Sequence, residues 1–335
     1  MWFSHSKQQQ KQQNITGLLA EMHTNGIELS INELIQYQNK ASLINLAASK
    51  NLHGKLSGNY LARSKGRGME FDEVRHYQVG DDIRAIDWRV TARTGKTHTK
   101  LFREEVERPV LVATDLNTSM LFGSRLLFKS VQAAHIAAIV AWHAKSRGDR
   151  LGGIVFNQQS HTELKPRSRK QGVLHYLHAL VETHQDSLLN QVSYQALADD
   201  TLYFEQNSAR LRQLARPGSL VYLITDGQHL NQETIRHLAH ISKHCELVVC
   251  LVTDPLEHAL PESQTRLNVA VTNGIERQQL TIGDKKAALN YQRQASLLSQ
   301  EKEQLLTKAG ARILHFSASQ SLENQLKNGA VTWTR

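Results

Sequence analysis

Blocks of continuous apolar residues alternate with blocks of helical periodicity over the second two thirds of the chain. The run at residues 110–113 is apolar at every position, which is typical of a central parallel strand that is covered on both faces. Further strands are predicted at residues 150–156, 161–164, 220–225, 246–252 and 312–316. This alternation predicts an α/β fold with a mostly parallel sheet, flanked by helices and joined by right-handed crossovers.

Periodic apolar positions predict the helices between these strands. The helix after the first strand is expected to begin at Ser124 and to end at Ser146, with one apolar stripe. Residues 269–282 predict a hairpin around Asn273-Gly274. The remaining helices are predicted near the end of the chain and at residues 170–183, 196–215, 231–244 and 285–308.

The N-terminal residues have little apolar content. Residues 1–26 are a Gln-rich polar tail that ends in a short predicted helix at residues 15–22. Ser30 and Glu33 have the spacing of a capping box, which predicts the start of a second helix. This second helix is expected to fray out by residue 51.

The character of the chain changes again before the first buried strand. Residues 54–107 are charged, aromatic and interrupted by glycines, with extended segments expected at residues 69–77 and 97–107. The sequence thus predicts a tail with a short helix, a smaller irregular α+β segment that includes the N-terminal helix, and a sheet domain. Their bounds are residues 1–26, 27–108 and 109–335.

The net charge of +9 and the isoelectric point near 9.5 favour an acidic partner or nucleic acid. Lysines and arginines are, however, interleaved with acidic residues and form no long basic block, so nucleic-acid binding is the weaker hypothesis. Cys245 and Cys250 would lie about 16 Å apart along one strand, too far for a disulfide. No apolar stretch approaches the ~18 residues of a membrane span. We therefore expect a reduced, cytoplasmic protein without a membrane span.

Polar side chains follow two of the predicted buried strands. Asp115, Asn117 and Ser119 come after the first strand, and Asp226 follows the strand at residues 220–225. If the two strands are neighbours, these side chains converge at the carboxyl edge of the sheet, where ligands bind in open α/β sheets. Their oxygen atoms suit a hard cation such as Mg²⁺. The pattern predicts a divalent-cation site, and no organic cofactor is indicated.

The DLNTSM turn that begins at Asp115 and the later ITDG that contains Asp226 resemble the von Willebrand factor A domain. That family has a metal-ion-dependent adhesion site with the pattern Asp-x-Ser-x-Ser. The resemblance implies a Rossmann-like A-domain fold, and it assigns Asp115, Ser119 and Asp226 to a site for Mg²⁺ or Mn²⁺. Asn117 stands where the family pattern has serine. Two residues are weak candidates for the separate threonine ligand of the family: Thr162 and Ser168.

A second resemblance lies upstream of this turn. Residues 67–93, RGMEFDEVRHYQVGDDIRAIDWRVTAR, are similar to the bacterial family of unknown function numbered 58. The residues that carry this match are Arg67, Glu70, Phe71, Arg75, Tyr77, Gly80, Asp81, Asp82, Arg84, Asp87, Trp88 and Arg93. The two resemblances together cover about residues 55 to 320 and imply a non-enzymatic adaptor that works with a MoxR-type AAA+ ATPase. A domains often bind proteins through a cation that an acidic side chain of the partner helps to coordinate.

The acidic residues of this segment also suggest an alternative function. Asp81, Asp82 and Asp87 could hold metal ions for phosphodiester or peptide hydrolysis. The equal mixing of charges favours instead an Arg–carboxylate lattice, with apolar residues that anchor the segment on the sheet domain. These anchors are Phe71, Tyr77, Ile86 and Trp88.

A set of histidines shares one face of the helix predicted at residues 231–244: His237, His240 and His244. Their spacing suits a transition metal, but the apolar stripe beside them favours a solvated face. The sequence thus leaves three hypotheses for the protein. It is an adaptor, a metal-dependent hydrolase or a nucleic-acid-binding protein.

Overall fold

The structure is a computed structural model, and it describes residues 15–43, 69–104, 107–190, 200–263, 265–272, 277–327 and 333–334. The chain forms two compact units. The sheet unit comprises residues 1–46 and 108–335, and the hairpin unit comprises residues 47–107. The Gln-rich residues 1–14, the expected helix end after residue 43 and Arg67 lie outside the described residues.

The strands of the two units pair in three sheets. In chain order they are β1 (Met69–His76), β2 (His98–Glu104), β3 (Pro109–Asp115), β4 (Arg150–Phe156), β5 (His161–Arg167), β6 (Leu220–Thr225), β7 (Glu246–Thr253), β8 (Leu267–Thr272), β9 (Arg277–Ile282), β10 (Arg312–Ser317) and β11 (Trp333–Thr334). Within the described residues the central sheet has seven strands, in the order β11-β10-β7-β6-β3-β4-β5. The strands from β10 to β4 are parallel, and β5 and β11 are antiparallel at the two sides. The predicted mostly parallel sheet is therefore confirmed.

Two antiparallel hairpins lie outside the central sheet. Strands β1 and β2 pair in the hairpin unit, and β8 and β9 pair in the sheet unit. The second pair confirms the hairpin predicted at residues 269–282. Its turn residues, Asn273-Gly274, lie outside the described residues.

The longest helices among the described residues all lie after β3. They are α1 (residues 15–21), α2 (Ile31–Ile35, continued by a 3₁₀ segment at Gln36–Leu43), α3 (Trp88–Thr94), α4 (Lys129–Ser146), α5 (Arg169–Leu189), α6 (Asp200–Leu214), α7 (Gln232–Ser242), α8 (Pro255–His258), α9 (Lys285–Lys308) and α10 (Leu322–Lys327). Helices α5, α6, α7, α9 and α10 confirm the predicted ones, with ends shifted by up to six residues. Among the described residues, no helix has the length and apolar character needed to cross a membrane.

Alternate strand residues face opposite sides of the sheet, and each side has its own apolar core. On β3, Val110 and Val112 face helices α4 and α5, whereas Leu111 and Ala113 face α6, α7 and α9. Every residue of β6 is buried, as expected for a strand that is covered on both faces. Both cysteines, Cys245 and Cys250, are buried and free.

The sheet has the strand order of a doubly wound fold. Counted from β3, the strands β5-β4-β3-β6-β7-β10 follow the order 3-2-1-4-5-6. The order reverses between the first and fourth strands, and ligands bind in the crevice at such a switch point. Here the switch point lies between β3, which ends at Asp115, and β6, which Asp226 follows. The two strands are therefore neighbours, as the site prediction required.

Helix α4 differs from its prediction in two ways. It begins at Lys129 and not at Ser124, because the backbone N–H and the hydroxyl of Ser124 both donate to the Asp254 carboxylate. These bonds hold the preceding turn outside the helix. The helix is also buried on all sides from Lys129 to Trp142, so the predicted amphipathic stripe was wrong.

The N-terminal helix α2 packs on the side of α4 that faces away from the sheet. His135 Nε2 lies 2.5 Å from Glu33 Oε1 in a buried hydrogen bond. Glu33 also completes the predicted capping box with Ser30. Because of these contacts residues 31–43 belong to the sheet unit, and the predicted segment at residues 27–108 is divided between the two units.

The contact between α2 and α4 yields a stability prediction. Glu33→Ala should lower the free energy of unfolding by about 2–4 kcal/mol, because it removes the side-chain half of the capping box and leaves the buried His135 Nε2 without its partner. Urea unfolding followed by circular dichroism measures the change. The control is Glu21→Ala, at an exposed position of α1, which should change stability little. Equal effects of the two substitutions would contradict the prediction.

Candidate functional site at the carboxyl edge of the sheet

Asp115 joins the ends of the two central strands. Its Oδ2 accepts a hydrogen bond from Thr225 Oγ1 at 2.7 Å, at the end of β6. Its Oδ1 accepts from the backbone N–H of Asn117 at 3.0 Å, within the turn after β3. The Asp115 side chain is fully buried. The carboxylate therefore fixes the turn after β3 to the neighbouring strand.

The turn after β6 positions Asp226. Gly227 has a φ of +68°, a conformation that favours glycine, and its N–H donates to Thr225 Oγ1 at 3.1 Å. The backbone N–H of Gln228 donates to Asp226 Oδ1 at 3.0 Å. These bonds direct the other carboxylate oxygen, Asp226 Oδ2, toward the start of α4.

The ammonium group of Lys129 occupies the position that Asp226 Oδ2 faces. Lys129 Nζ donates to Asp226 Oδ2 at 2.7 Å and to Glu257 Oε1 at 2.5 Å. The Lys129 side chain is only 2% exposed. Since the start of a helix favours anions over cations, the two carboxylates and not the helix stabilise this lysine. We call Lys129, Asp226 and Glu257 the Lys129 cluster.

Glu257 reaches the cluster from a short helix after β7. Its Oε2 accepts from the backbone N–H of Asp254 at 3.1 Å, in a capping box at the start of α8. Asp254 directly follows β7, and its carboxylate binds Ser124 in the loop before α4. Each of three neighbouring parallel strands therefore has an aspartate at its end or directly after it: Asp115, Asp226 and Asp254.

The burial of these charges changes their pKa values. Burial opposes the charged form of Lys129, but Asp226 and Glu257 raise its pKa above the usual 10.5. Burial likewise opposes the charge on Asp226, but the Lys129 ammonium holds the pKa of this carboxyl below its ordinary value. For Asp115, burial together with the charge of Asp226 outweighs the opposing effect of His229 and raises the pKa to about 6. Asp226 is thus neutralised by an ion pair, while Asp115 forms none with any residue that the structure describes.

The expected divalent cation can be tested against these contacts. Asn117 has the right type of donor, because its side-chain amide is buried without a hydrogen-bond partner among the described residues. The hydroxyl of Ser119 is also buried without such a partner within the described part of the chain. Asp226, however, already binds the Lys129 ammonium, so a Mg²⁺ or Mn²⁺ ion bound through Asp226 Oδ2 must displace it. With Lys129 in place, the residues do not fit the ion.

Of the two weak candidates for a threonine ligand, one lies on an exposed strand and the other lies away from this site. Thr162 is an exposed residue of β5. Ser168 comes after the end of β5, which runs antiparallel to β4, so it lies at the opposite edge of the sheet. The hydroxyl that contacts Asp115 belongs instead to Thr225.

The acidic residues of the hairpin unit bind main-chain and basic groups. Asp81 pairs with Arg75 at 2.8 Å and accepts from the Gln78 N–H at 2.9 Å. Asp82 and Asp87 accept backbone N–H groups at the starts of the 3₁₀ turn Ile83–Ala85 and of α3. The backbone N–H groups bound to Asp87 hold its pKa below the ordinary value. These contacts favour structural roles for the three aspartates over hydrolysis.

The other family residues lie along the same hairpin. Glu70, Phe71 and Arg75 are in β1, and Arg84 and Arg93 are in the 3₁₀ turn and in α3. The N–H of Tyr77 donates to Thr97 O at 2.9 Å, and Gly80 has a φ of +108°. Trp88, at the start of α3, is exposed. The Arg75–Asp81 pair is one contact of the predicted Arg–carboxylate lattice. The packing of this segment on the sheet domain stays a prediction.

The three histidines predicted on one helix face lie in α7 or just after its end, and among the described residues they form no metal centre. His240 and His244 are exposed, and His237 is partly buried. Across the described ranges, no group of three or more His, Cys, Asp or Glu side chains could hold a metal ion. The predicted solvated face is consistent with this arrangement.

Sequence reasoning did not identify several residues of the site: Lys129, Thr225, Asp254 and Glu257. Asp254 had a usable signal, because it follows a buried strand just as Asp226 does. Glu257 then stands at the spacing of a capping box from Asp254. Lys129 had no comparable signal, because it lay inside a helix that was expected to begin earlier.

Comparisons with known proteins identify the family and two sets of similar proteins. The family model described as "Protein of unknown function DUF58" matches residues 73–315. Uncharacterized proteins of Mycobacterium bovis and Mycobacterium tuberculosis are each 28% identical over 222 residues, which cover 65% of this chain. The match spans 66% of the length of these relatives.

Two solved structures show a weak likeness. One is the conserved hypothetical protein BatB from Bacteroides thetaiotaomicron, with a TM-score of 0.34 and 13% identity over 61% of this chain and 98% of that chain. The other is an aerotolerance-related membrane protein from Bacteroides fragilis, with a TM-score of 0.33 and 13% identity over 59% of this chain and 99% of that chain.

The Lys129 cluster yields a second stability prediction. Lys129→Met should lower the free energy of unfolding by about 3–5 kcal/mol, because it leaves the buried Asp226 charge unpaired. The double variant Lys129→Met/Asp226→Asn removes both charges and should recover a large part of this loss. Urea unfolding of the three proteins measures both effects. Equal stability of the single and double variants would show that the pair does not neutralise Asp226.

The raised pKa of Asp115 yields a prediction about pH. Below about pH 3 the group is protonated in both folded and unfolded protein, whereas above pH 6 the folded protein holds a buried carboxylate near Asp226. The wild type therefore loses stability relative to Asp115→Asn as pH rises. The difference should grow by about 2 kcal/mol between pH 4 and pH 7. Urea unfolding across this range measures it.

Asp226→Asn is the control, and its stability relative to the wild type should change with pH in the opposite direction. Because the pKa of Asp226 is lowered, its contribution to stability is present above the unfolded-state pKa and is lost as pH falls. The stability of this variant relative to the wild type should therefore fall as pH rises. The same slope in both variants would refute the assignment of opposite pKa shifts.

Proposed function

We propose that this chain, which belongs to the DUF58 family of proteins of unknown function, is a non-enzymatic adaptor that binds a protein partner at the carboxyl edge of its sheet. One observation carries the proposal. The charged groups of the Lys129 cluster neutralise one another, and Asp115 is fully buried with both carboxylate oxygens engaged in hydrogen bonds. A catalytic site must keep a base, an acid or a nucleophile available to a substrate. This edge is suited to a stable contact surface.

The likeness to von Willebrand factor A domains supports this choice of edge. The turns that contain Asp115 and Asp226 carry that likeness in the sequence, and both lie at the switch point of a doubly wound sheet. A domains bind proteins at this edge. The proposed partner is a MoxR-type AAA+ ATPase. This choice of partner rests on the similarity of residues 67–93 to the DUF58 family.

The surface beside the Lys129 cluster suits a protein contact. Phe122, whose carbonyl accepts from the Lys129 N–H at 2.8 Å, is 42% exposed. The Glu257 side chain is 24% exposed, and Gln228 is exposed just after the Asp226 turn. An exposed aromatic ring among polar groups is common at the centre of protein interfaces. We therefore place the contact around Phe122 and Gln228.

A pair of matched substitutions tests the edge. Gln228→Trp should weaken the binding of a purified MoxR-type AAA+ ATPase at least tenfold, because a large side chain there blocks the approach to the carboxyl edge. Gln213→Trp is the control, because Gln213 is exposed near the end of α6, which leads into the opposite edge of the sheet. This control should bind as the wild type does. Isothermal titration calorimetry measures the affinities.

Three outcomes decide the proposal. Selective loss in Gln228→Trp supports the carboxyl edge as the contact surface. Equal affinity of both variants and the wild type rejects that surface. Failure of the wild type to bind the ATPase rejects the partner class.

A further inference from the structure

We infer that Lys129 is a resident cation that takes the place of a divalent metal ion at the carboxyl edge. The wild-type chain accordingly needs no Mg²⁺ or Mn²⁺ there, and a metal site forms only when the lysine is removed. The inference concerns the sheet unit by itself. It goes beyond the adaptor function, because it holds with any partner or with none.

The ammonium group lies where an ion held by the strand ends would bind. Asp226 follows β6 at the switch point, and its Oδ2 is 2.7 Å from Lys129 Nζ. Glu257 Oε1 approaches the same nitrogen at 2.5 Å from the helix after β7. Two carboxylate oxygens from different strand ends thus share one positive centre. This is the arrangement that carboxylates adopt around a bound hard cation.

Local helix preferences do not explain this lysine. Lys129 is the first residue of α4, where the helix dipole disfavours a positive charge. Its side chain is buried, which also opposes the charge. The two carboxylates outweigh both effects and keep the pKa of Lys129 above its usual value. The lysine is therefore a permanent cation, and Asp226 and Glu257 determine its position.

A divalent ion and this ammonium compete for the same carboxylate. Mg²⁺ binds carboxylate oxygens at about 2.1 Å, so an ion on Asp226 Oδ2 would lie within a few ångströms of Lys129 Nζ. Positive charges at that separation repel strongly in a buried environment. Displacement of the lysine would in turn require a new partner for its charge. The Lys129 ammonium already neutralises Asp226, without repulsion from a second cation and without loss of its own partners.

Removal of the ammonium leaves a donor set that suits the ion. In Lys129→Ala the oxygens Asp226 Oδ2 and Glu257 Oε1 lose their shared partner. Asn117 and Ser119, in the turn after β3, have side-chain oxygens without hydrogen-bond partners in the described portion of the chain. Carboxylate, amide and hydroxyl oxygens are ligands for Mg²⁺ and Mn²⁺. The variant should therefore gain the metal binding that the wild type lacks.

Titration of the metal-free proteins with Mn²⁺ tests the inference. Electron paramagnetic resonance measures free Mn²⁺, and Lys129→Ala should bind one ion at least tenfold more tightly than the wild type. In a second readout, millimolar Mn²⁺ should raise the Tm of Lys129→Ala by about 2–4 °C and leave the Tm of the wild type unchanged. If Lys129→Ala is unfolded in metal-free buffer, Mn²⁺ should restore its circular dichroism spectrum.

The double variant Lys129→Ala/Asp226→Asn is the matched control, because it lacks the ammonium and also the carboxylate. It should bind no Mn²⁺. One-site binding by the wild type that Asp226→Asn abolishes would overturn the inference. The inference would also be overturned if the Lys129→Ala protein did not bind Mn²⁺ and did not regain its circular dichroism spectrum when Mn²⁺ is added. No ATPase is present in these measurements, so their outcome is separate from that of the adaptor proposal.

Discussion

One buried lysine connects the ends of three parallel strands. Lys129 pairs with Asp226 after β6 and with Glu257 after β7, and its backbone N–H donates to Phe122 in the turn after β3. Without this positive charge, Asp226 would repel both Glu257 and the neighbouring Asp115. In a region with little solvent such repulsion is costly, because no water replaces the missing partner. The shape of the carboxyl edge therefore depends on this pairing.

The position of Lys129 depends in turn on the burial of α4. A helix that is buried on all sides needs cover on both sides, and the sheet provides only one of them. The N-terminal helix contributes to the other side, where Trp142 Nε1 donates to Leu34 O at 3.1 Å and His135 contacts Glu33. One end of α4 thus carries the charged cluster, and its outward side holds the N-terminal helix. The two features share a single rigid element.

Most of the fold and half of the site residues could be predicted from the sequence. Continuous apolar runs identified the buried strands, and Asp115 and Asp226 were found because they directly follow two of them. Lys129 was missed because its partners Asp226 and Glu257 lie 97 and 128 residues away, beyond any local pattern. The start of α4 was misplaced for the same reason, since Ser124 is a good cap by sequence but binds Asp254, 130 residues later.

The sheet unit is interrupted in sequence by the hairpin unit at residues 47–107. The contact between Glu33 and His135 closes a loop of 102 residues across this insertion. Loop-closure entropy grows only with the logarithm of loop length, by about 0.6 kcal/mol for each doubling. The insertion can therefore vary in length at little cost to the sheet. During synthesis on the ribosome, the N-terminal helix emerges long before α4. It can therefore pack on α4 only after the whole insertion has been synthesised.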